Sequence, residues 1–275
     1  MKTLYQAIEY WGDKNAPALC GHLAMSGIVT WEDCTRVNLC EFVAHLQRTM
    51  SQSSAHTYTA RLRAVLARYK DEGVLPCTDY DDALKCKNEK SQKTYLNEVE
   101  LKALELTPTK NERERFVKLC FLISARTGMR ISDTLRTTEE NVKGDTLDYV
   151  SKKTSIEAQV PVSAEVKEWI AQVNGITYRP TEANYNLIIK RLCKRAGINE
   201  KVKLFKRGKE MTGEKWQFVS SHTARVSFCT CLSRHLDLNA IATLAGHTNP
   251  IMTANYVVRT APKLNEGARQ FFGQI

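Results

Sequence analysis

The sequence lacks any run of about 18 apolar residues, so no segment is expected to span a bilayer. The start, Met1-Lys2-Thr3-Leu4, meets Glu9 and Asp13 before an apolar stretch of the signal-peptide kind can build, and the expectation is a cytoplasmic protein. Nine cysteines are present, but none falls in paired CxxC spacings. They read as reduced intracellular thiols rather than as a disulfide framework. Two local groups, Cys34 with Cys40 and His45, and Cys229 with Cys231, also lack zinc-site spacing. Cys229 and Cys231 would face different sides of a helix, so no metal is expected. Internal repeats and low-complexity tracts are absent as well.

What the chain does have is ordinary core material and surplus positive charge. Of 275 residues, 43% are hydrophobic and 25% charged, the balance of a folded protein. Net charge is +10 with a pI near 9.1, which favours an anionic partner, nucleic acid before membrane. Residues 1–88 hold ten basic and ten acidic side chains, so the whole excess lies in residues 89–275.

The first 75 residues carry helical periodicity. Leu4, Ala7, Ile8 and Trp11 fall on one stripe. Thr30 with Asp33 resembles a capping box opening a helix that carries Val37, Leu39, Phe42, Val43 and Leu46. A further helix is expected from about Thr57, with Leu62, Val65, Leu66 and Tyr69 inward and Gly73 just past its end. Arg61, Arg63, Arg68 and Lys70 occupy its remaining surface, either as a solvated face or as phosphate contacts. Between Pro76 and Lys93 the rhythm lapses, as in an inter-domain linker.

Asn97 and Glu100 then form a capping-box pair, with Leu96 and Leu101 placed for a hydrophobic staple. A helix over about Glu112–Ala125 buries Phe116, Leu119, Cys120 and Ile123. The period switches to two in Thr146–Lys152 and Ala158–Val162, two short strands joined as a hairpin, and the turn-like 141–145 closes an earlier, shorter strand. Helical pattern resumes at Glu165–Val173 and Glu182–Ala196, followed by a basic, polar loop from Lys201 to Lys215.

Three segments call for a joint explanation: Thr127-Gly128-Met129-Arg130, Ser221-His222-Thr223-Ala224-Arg225, and Gly246-His247-Thr248-Asn249-Pro250 followed by Tyr256. Ser220 or Ser221 caps a helix whose positive end carries His222 and Arg225 on one face, a suitable place for an anion. Gly246 stops a helix and leaves His247 in the turn beyond it. Asn249-Pro250 opens a new helix with Tyr256 nearly two turns into it. Two arginines, two histidines, a lysine and a tyrosine suit phosphoryl transfer without a metal. Guanidinium forks neutralise the non-bridging oxygens, a lysine protonates the leaving oxygen, and a phenol forms a covalent ester. No cluster of carboxylates, which a metal-dependent nuclease needs, lies in these segments.

In order and spacing these residues resemble the tyrosine site-specific recombinase (phage integrase) family, and the resemblance covers nearly the whole chain. The family order of Arg, Lys, His-x-x-Arg, His and Tyr falls on Arg130, a hairpin lysine, His222, Arg225, His247 and Tyr256, with the typical Leu244-Ala245-Gly246-His247 segment. For the lysine, Lys152 and Lys153 both stand at the end of the second predicted strand. Strand alternation lets only one reach the phosphate. Lys153 is preferred because Lys153-Thr154 fits the Lys-Thr-Gly common in relatives, although Ser155 replaces the Gly.

The resemblance implies that Tyr256 attacks a phosphate to form a 3′-phosphotyrosyl bond, with Arg130 and Arg225 as clamp and Lys153 as general acid. His222 assists proton transfer, His247 bonds the phosphate, and Asp133 is a candidate to orient the arginines. The implied fold is mainly α with a small antiparallel sheet (α+β). Residues 1–88 form a helical, SAM-like core-binding domain and residues 89–275 the catalytic domain. Implied partners are double-stranded DNA, a homo-tetramer in the synaptic complex, and accessory DNA-bending or directionality proteins. No cofactor is needed. The cellular setting would be the cytoplasm, at the nucleoid or in the host of a mobile genetic element. The nineteen residues after Tyr256, including Leu264, Phe271 and Phe272, are expected to pack on a neighbouring protomer. An N-terminal arm-binding module is expected to be absent or removed. Two rivals stand beside this reading. One is a type IB topoisomerase, disfavoured because those enzymes usually carry lysine in place of the first histidine of His222-x-x-Arg225. The other is a catalytically silent DNA-binding regulator of the same fold.

Overall fold

A computed structural model describes residues 2–11, 15–88, 91–206 and 209–258. The chain divides into two compact units, residues 1–92 with 204–211, and residues 93–203 with 212–275. The division falls at Gln92/Lys93, four residues after the boundary expected from sequence, and the tip of a later hairpin groups with the first unit.

The first unit is helical: α1 (Leu4–Trp11), α2 (Ala16–Met25), α3 (Arg36–Thr49), α4 (Gln52–Tyr69) and the single turn α5 (Tyr80–Ala83). Leu4, Ile8, Leu19, Leu23, Leu39, Phe42, Leu46, Leu62 and Leu66 meet in one core. Each such side chain contributes roughly 1.5–3 kcal/mol by leaving water.

Three local readings change. Thr35, not Thr30, caps α3, its hydroxyl accepting from the Asn38 amide. The Asp33 carboxylate instead takes the amides of Val29 and Thr30 and the Thr30 hydroxyl, folding the turn ahead of the helix. Val37 therefore falls on the exposed face. α4 begins at Gln52, five residues before the expected start, with Ser51 as the cap that accepts from the Ser54 amide. Trp11 is 48% exposed, with the Arg68 guanidinium 4.6 Å from its ring.

In the second unit, α6 (Glu98–Leu106) is opened by the Asn97/Glu100 capping box, and both Leu96 and Leu101 are buried. α7 (Glu112–Thr127) is the central rod, with Phe116, Val117 and every residue from Leu119 to Ala125 buried. α8 (Ile131–Thr134) is a single turn. An antiparallel sheet follows in the order β1 (Val142–Lys143), β2 (Thr146–Val150), β3 (Glu157–Pro161). The register pairs Leu147 with Val160 and Tyr149 with Ala158, so all four share the buried face.

α9 (Ala164–Asn174) and α10 (Glu182–Arg195) pack on α7. Where a basic loop was expected, β4 (Lys201–Lys206) and β5 (Lys209–Glu214) form a second hairpin. Its Lys-Val-Lys-Leu alternation has period two, but the mostly exposed side chains leave no buried face to announce a strand. α11 (Ser221–Leu232) also lies against α7, and α12 (Leu238–Ala245) and α13 (Pro250–Ala254) close the described chain.

Positive φ at two of the positions near the sheet has consequences for stability. Gly128 ends α7 at φ 71, and a Cβ there would stand 2.5 Å from the Phe228 ring. Ser155, in the turn between β2 and β3, has φ 53, a left-handed conformation that glycine adopts without cost. Gly128→Ala is expected to destabilise the second unit by about 1–3 kcal/mol. Ser155→Gly should be neutral or stabilising by up to about 1 kcal/mol. Thermal denaturation of the two variants against the parent checks both signs.

Candidate active site

The turn that ends α7 builds the first half of the site. Gly128 reverses the chain and leaves Arg130 as the N-cap residue of α8, half-buried, with Nη1 donating to Ser151 Oγ at 2.8 Å. The Gly128 carbonyl accepts from Nη1 of Arg225, one turn into α11, at 2.5 Å. Arg225 is 1% exposed, and its Nε and Nη2 are buried without a partner among the described residues. A guanidinium in that condition is costly unless an anion completes it. Burial and Arg130 both lower its pKa. Tyr149 brings its phenol beside the same group; burial pushes that phenol up and Arg225 pulls it back.

The second half comes from the α12–α13 connection. Gly246, at φ 60, ends α12, and the His247 amide returns to the Ala242 carbonyl at 2.9 Å. His247 is buried, its Nδ1 2.9 Å from Thr253 Oγ1, while Nε2 has no partner among the described residues. Asn249 caps α13 through the Ile251 amide, with Pro250 following. α13 ends at Ala254, so Tyr256 lies in the turn after the helix rather than nearly two turns inside it. Four residues after Pro250 the amides revert to short turn bonds: Tyr256 N donates to Thr253 O at 2.8 Å.

The Tyr256 ring sits among the predicted site residues. Its centroid is 5.0 Å from that of His222 and 4.8 Å from that of His247. The Arg225 guanidinium carbon is 5.4 Å away. The phenol, both imidazoles and this guanidinium converge within one chain. Arg130 and Lys153 complete the cationic surroundings, and both lower the pKa of His222.

The lysines stand in a turn, not at the end of a strand: β2 stops at Val150, and Lys152 and Lys153 follow Ser151. Strand alternation therefore does not choose between them. The Lys152 amide is fixed on Asp133 Oδ1 at 3.0 Å, and both side chains are exposed. Lys153 is the one whose charge acts on His222. Asp133, 2% exposed, was a candidate to orient Arg130 and Arg225. Its side chain instead accepts from Arg136 Nη2 and the Lys152 amide, so it secures the lysine turn.

Lys93 was missed altogether. Its Nζ is 4.1 Å from the Tyr256 ring centroid and donates to the Asn255 carbonyl at 2.7 Å. No sequence pattern connects residues so far apart. Ser151 and Thr253, partners of Arg130 and His247, were also missed, since a lone hydroxyl residue in a turn or short helix carries no signal of its own. Of the four basic residues on α4 and at its C-terminal end, Arg63 reaches the Leu84 carbonyl and Asp81. Arg68 bonds the Ala64 carbonyl, Arg61 lies 5.9 Å from the Tyr58 ring, and Lys70 is exposed. The C-terminal tail expected to pack on a neighbour lies outside the described residues. Among the described residues no group of three His, Cys, Asp or Glu is placed to hold a metal, and no helix is long and apolar enough to cross a membrane.

The geometry defines a protein with a phenol held inside a basic, anion-ready pocket on a mainly helical frame. A family profile described as "Phage integrase family" matches residues 94–261, and the chain belongs to that family. A search of curated sequences finds no match. Among solved structures, the fold is similar to a lambda integrase dimer bound to a COC′ core site (TM-score 0.69, 14% identity, 94% of this chain and 97% of the other). It is also similar to the Tn1549 transposon integrase in complex with a circular intermediate DNA (0.71, 16%, 98% and 100%). A third is XerH site-specific recombinase bound to palindromic difH in a post-cleavage complex (0.63, 17%, 92% and 76%).

Burial is the first cause that lowers both histidines, followed for His222 by Lys93, Arg225, Arg130 and Lys153, and for His247 by Arg225, Arg130 and Lys93. His222 is held at about 4 and His247 at about 3, against an ordinary 6.5. Below pH 6.5 the unfolded chain takes up protons that the folded imidazoles refuse, so unfolding binds protons. The stability held in these neutral rings is complete above that pH and is lost as pH falls toward 4 and then 3. NMR titration of labelled histidine should place both midpoints below 5 in the DNA-free protein, with thermal stability declining over the same range.

Proposed function

We propose that this recombinase of the phage integrase family breaks and rejoins DNA through Tyr256, with Arg130, Lys153, His222, Arg225 and His247 as its catalytic residues. The observation that carries the reading is the set of buried donors left without partners, Arg225 Nε and Nη2 and His247 Nε2, around the Tyr256 ring. A DNA phosphodiester supplies the acceptors these groups lack.

The chemistry follows from the placement. Arg130 and Arg225 neutralise the two non-bridging oxygens, where charge accumulates as the phenol attacks. Tyr256 must lose its proton in that step. Neutral His222 is the nearby base, and the arriving phosphate makes its protonated form less costly. In this reading His247 is the tautomer that accepts from Thr253 Oγ1 at Nδ1 and carries its proton on Nε2, where it bonds the phosphate. The P–O bond to the 5′ oxygen breaks, and Lys153 protonates that oxygen. The product is a 3′-phosphotyrosyl ester and a 5′ hydroxyl. One phosphodiester replaces another of similar energy, so religation to a second 5′ hydroxyl needs no external energy source.

The family's partners enter this reading with the substrate. Double-stranded DNA is bound, with phosphate contacts proposed for Arg61, Arg63, Arg68 and Lys70 on α4 and at its C-terminal end, and two sites are held by four copies in the cytoplasm. Accessory DNA-bending proteins select the direction. The helical first unit would act as the core-binding domain.

The test is covalent capture on a library of nicked, random-sequence duplexes, followed by denaturation, mass spectrometry and sequencing of the attached strand. DNA joined through Tyr256 is expected, with no adduct from Tyr256→Phe and at least a hundredfold slower capture from Arg225→Ala. Lys153→Ala should recover when the bridging 5′ oxygen is replaced by sulfur, which leaves without a proton. An adduct that persists in Tyr256→Phe would refute the assignment. Supercoil relaxation run beside two-site recombination separates exchange from topoisomerase action.

A further inference from the structure

Lys93 stands outside the set of residues given a role above, yet it makes two contacts to the loop that carries the phenol. Its ammonium reaches the carbonyl of Asn255, the residue before Tyr256, and lies 4.1 Å from the centroid of the Tyr256 ring. Its partners here are a carbonyl and a π face, not a carboxylate. An ammonium against an aromatic face is attracted by roughly 0.5–2 kcal/mol, more as water is withdrawn. The site withdraws some: burial is the leading cause that lowers the pKa of Lys93.

The backbone around Lys93 is fixed on the helix that carries His222 and Arg225. The Leu96 amide donates to Ser227 Oγ at 2.8 Å, and Ser227 is fully buried on α11. Cys231 Sγ, one turn further, reaches the Leu96 carbonyl at 3.7 Å. Thr94 and Leu96 are themselves buried. Lys93 thus projects from a segment registered to α11, whereas Tyr256 hangs from a turn beyond the end of α13. The turn's other holds are local or come from α11 and α12. They are Tyr256 N on Thr253 O, the Thr230 hydroxyl bridging the Tyr256 carbonyl and the Val258 amide, and packing of Tyr256 and Val257 on Phe228 and Ile241. Among the described residues Lys93 is the one cation on the Asn255 carbonyl and the ring face together.

We propose that Lys93 is a positioning residue that clamps the Tyr256 loop, by its carbonyl and its ring, so that the phenol is presented to the phosphate. The proposal rests on Tyr256 being the nucleophile. Lys93 touches neither the leaving oxygen nor the phosphate in this role. Its removal costs nucleophile alignment rather than proton supply or DNA affinity.

Two measurements test it. The first uses the DNA-free protein with lysine labelled at Cε. The Lys93 ε-methylene should be shifted upfield by the Tyr256 ring, and the shift should disappear in Tyr256→Leu. An unchanged resonance would mean the clamp does not form. The second uses the duplex captured by the wild-type enzyme. Lys93→Met, which keeps the aliphatic stem, should slow adduct formation about ten- to hundredfold with gel-measured DNA retention unchanged, as expected for a misplaced reacting group.

Lys93→Arg should restore most of the rate. Sulfur at the bridging 5′ position should not rescue Lys93→Met, although it rescues Lys153→Ala. Rescue by sulfur would make Lys93 a proton donor, weakened retention would make it a phosphate contact, and a wild-type rate would make it dispensable; each overturns the clamp. Failure of the wild-type enzyme to form any Tyr256 adduct would instead remove the recombinase chemistry, with the resonance shift still deciding whether Lys93 grips Tyr256.

Discussion

The bond from Arg225 to the Gly128 carbonyl is the constraint on which the site is built. It joins α11 to the turn that ends α7, and it needs a carbonyl delivered by a left-handed residue with no Cβ, because the Phe228 ring fills the space one would occupy. It also commits only one edge of the guanidinium. The other nitrogens remain buried and unmatched, a condition that a packed apolar core would not tolerate. The fold thus holds a positive charge out of water and keeps it short of acceptors. The imidazoles respond by staying neutral, which leaves His222 able to accept a proton and His247 able to donate one.

Much of this was legible in the sequence because it depends on local chemistry. Gly128 and Gly246 signal chain reversals, Asn249-Pro250 signals a helix start, and the 2-residue period around Leu147, Tyr149, Ala158 and Val160 signals a sheet with one buried face. The residue order that resembles phage integrases points to Arg130, His222, Arg225, His247 and Tyr256; in the structure the two histidines and Arg225 lie round the Tyr256 ring, and Arg130 acts on both histidines. What escaped was long-range or masked by composition. Lys93 reads as linker, and its partner lies 162 residues away. The strands β4 and β5 hide in a basic stretch with little buried surface. Thr30 and Asp33 fit a cap pattern, but the Asp33 carboxylate satisfies upstream amides first, and the helix waits for Thr35.

The lysine turn differs from the strand end expected there. Lys152 and Lys153 follow the strand rather than end it, so alternation of faces does not separate them. What separates them is Asp133, a buried carboxylate that fixes the Lys152 amide, and the φ of 53 at Ser155, which gives the reversal a glycine-like shape without glycine. The Lys-Thr-Gly pattern of relatives and this Lys-Thr-Ser thus reach the same kind of turn at different conformational cost.

The phenol, both imidazoles and the Arg225 guanidinium come together within a single polypeptide. Thr253 holds His247 Nδ1 with its hydroxyl and the Tyr256 amide with its carbonyl, so any shift of that one residue moves the imidazole and the phenol together.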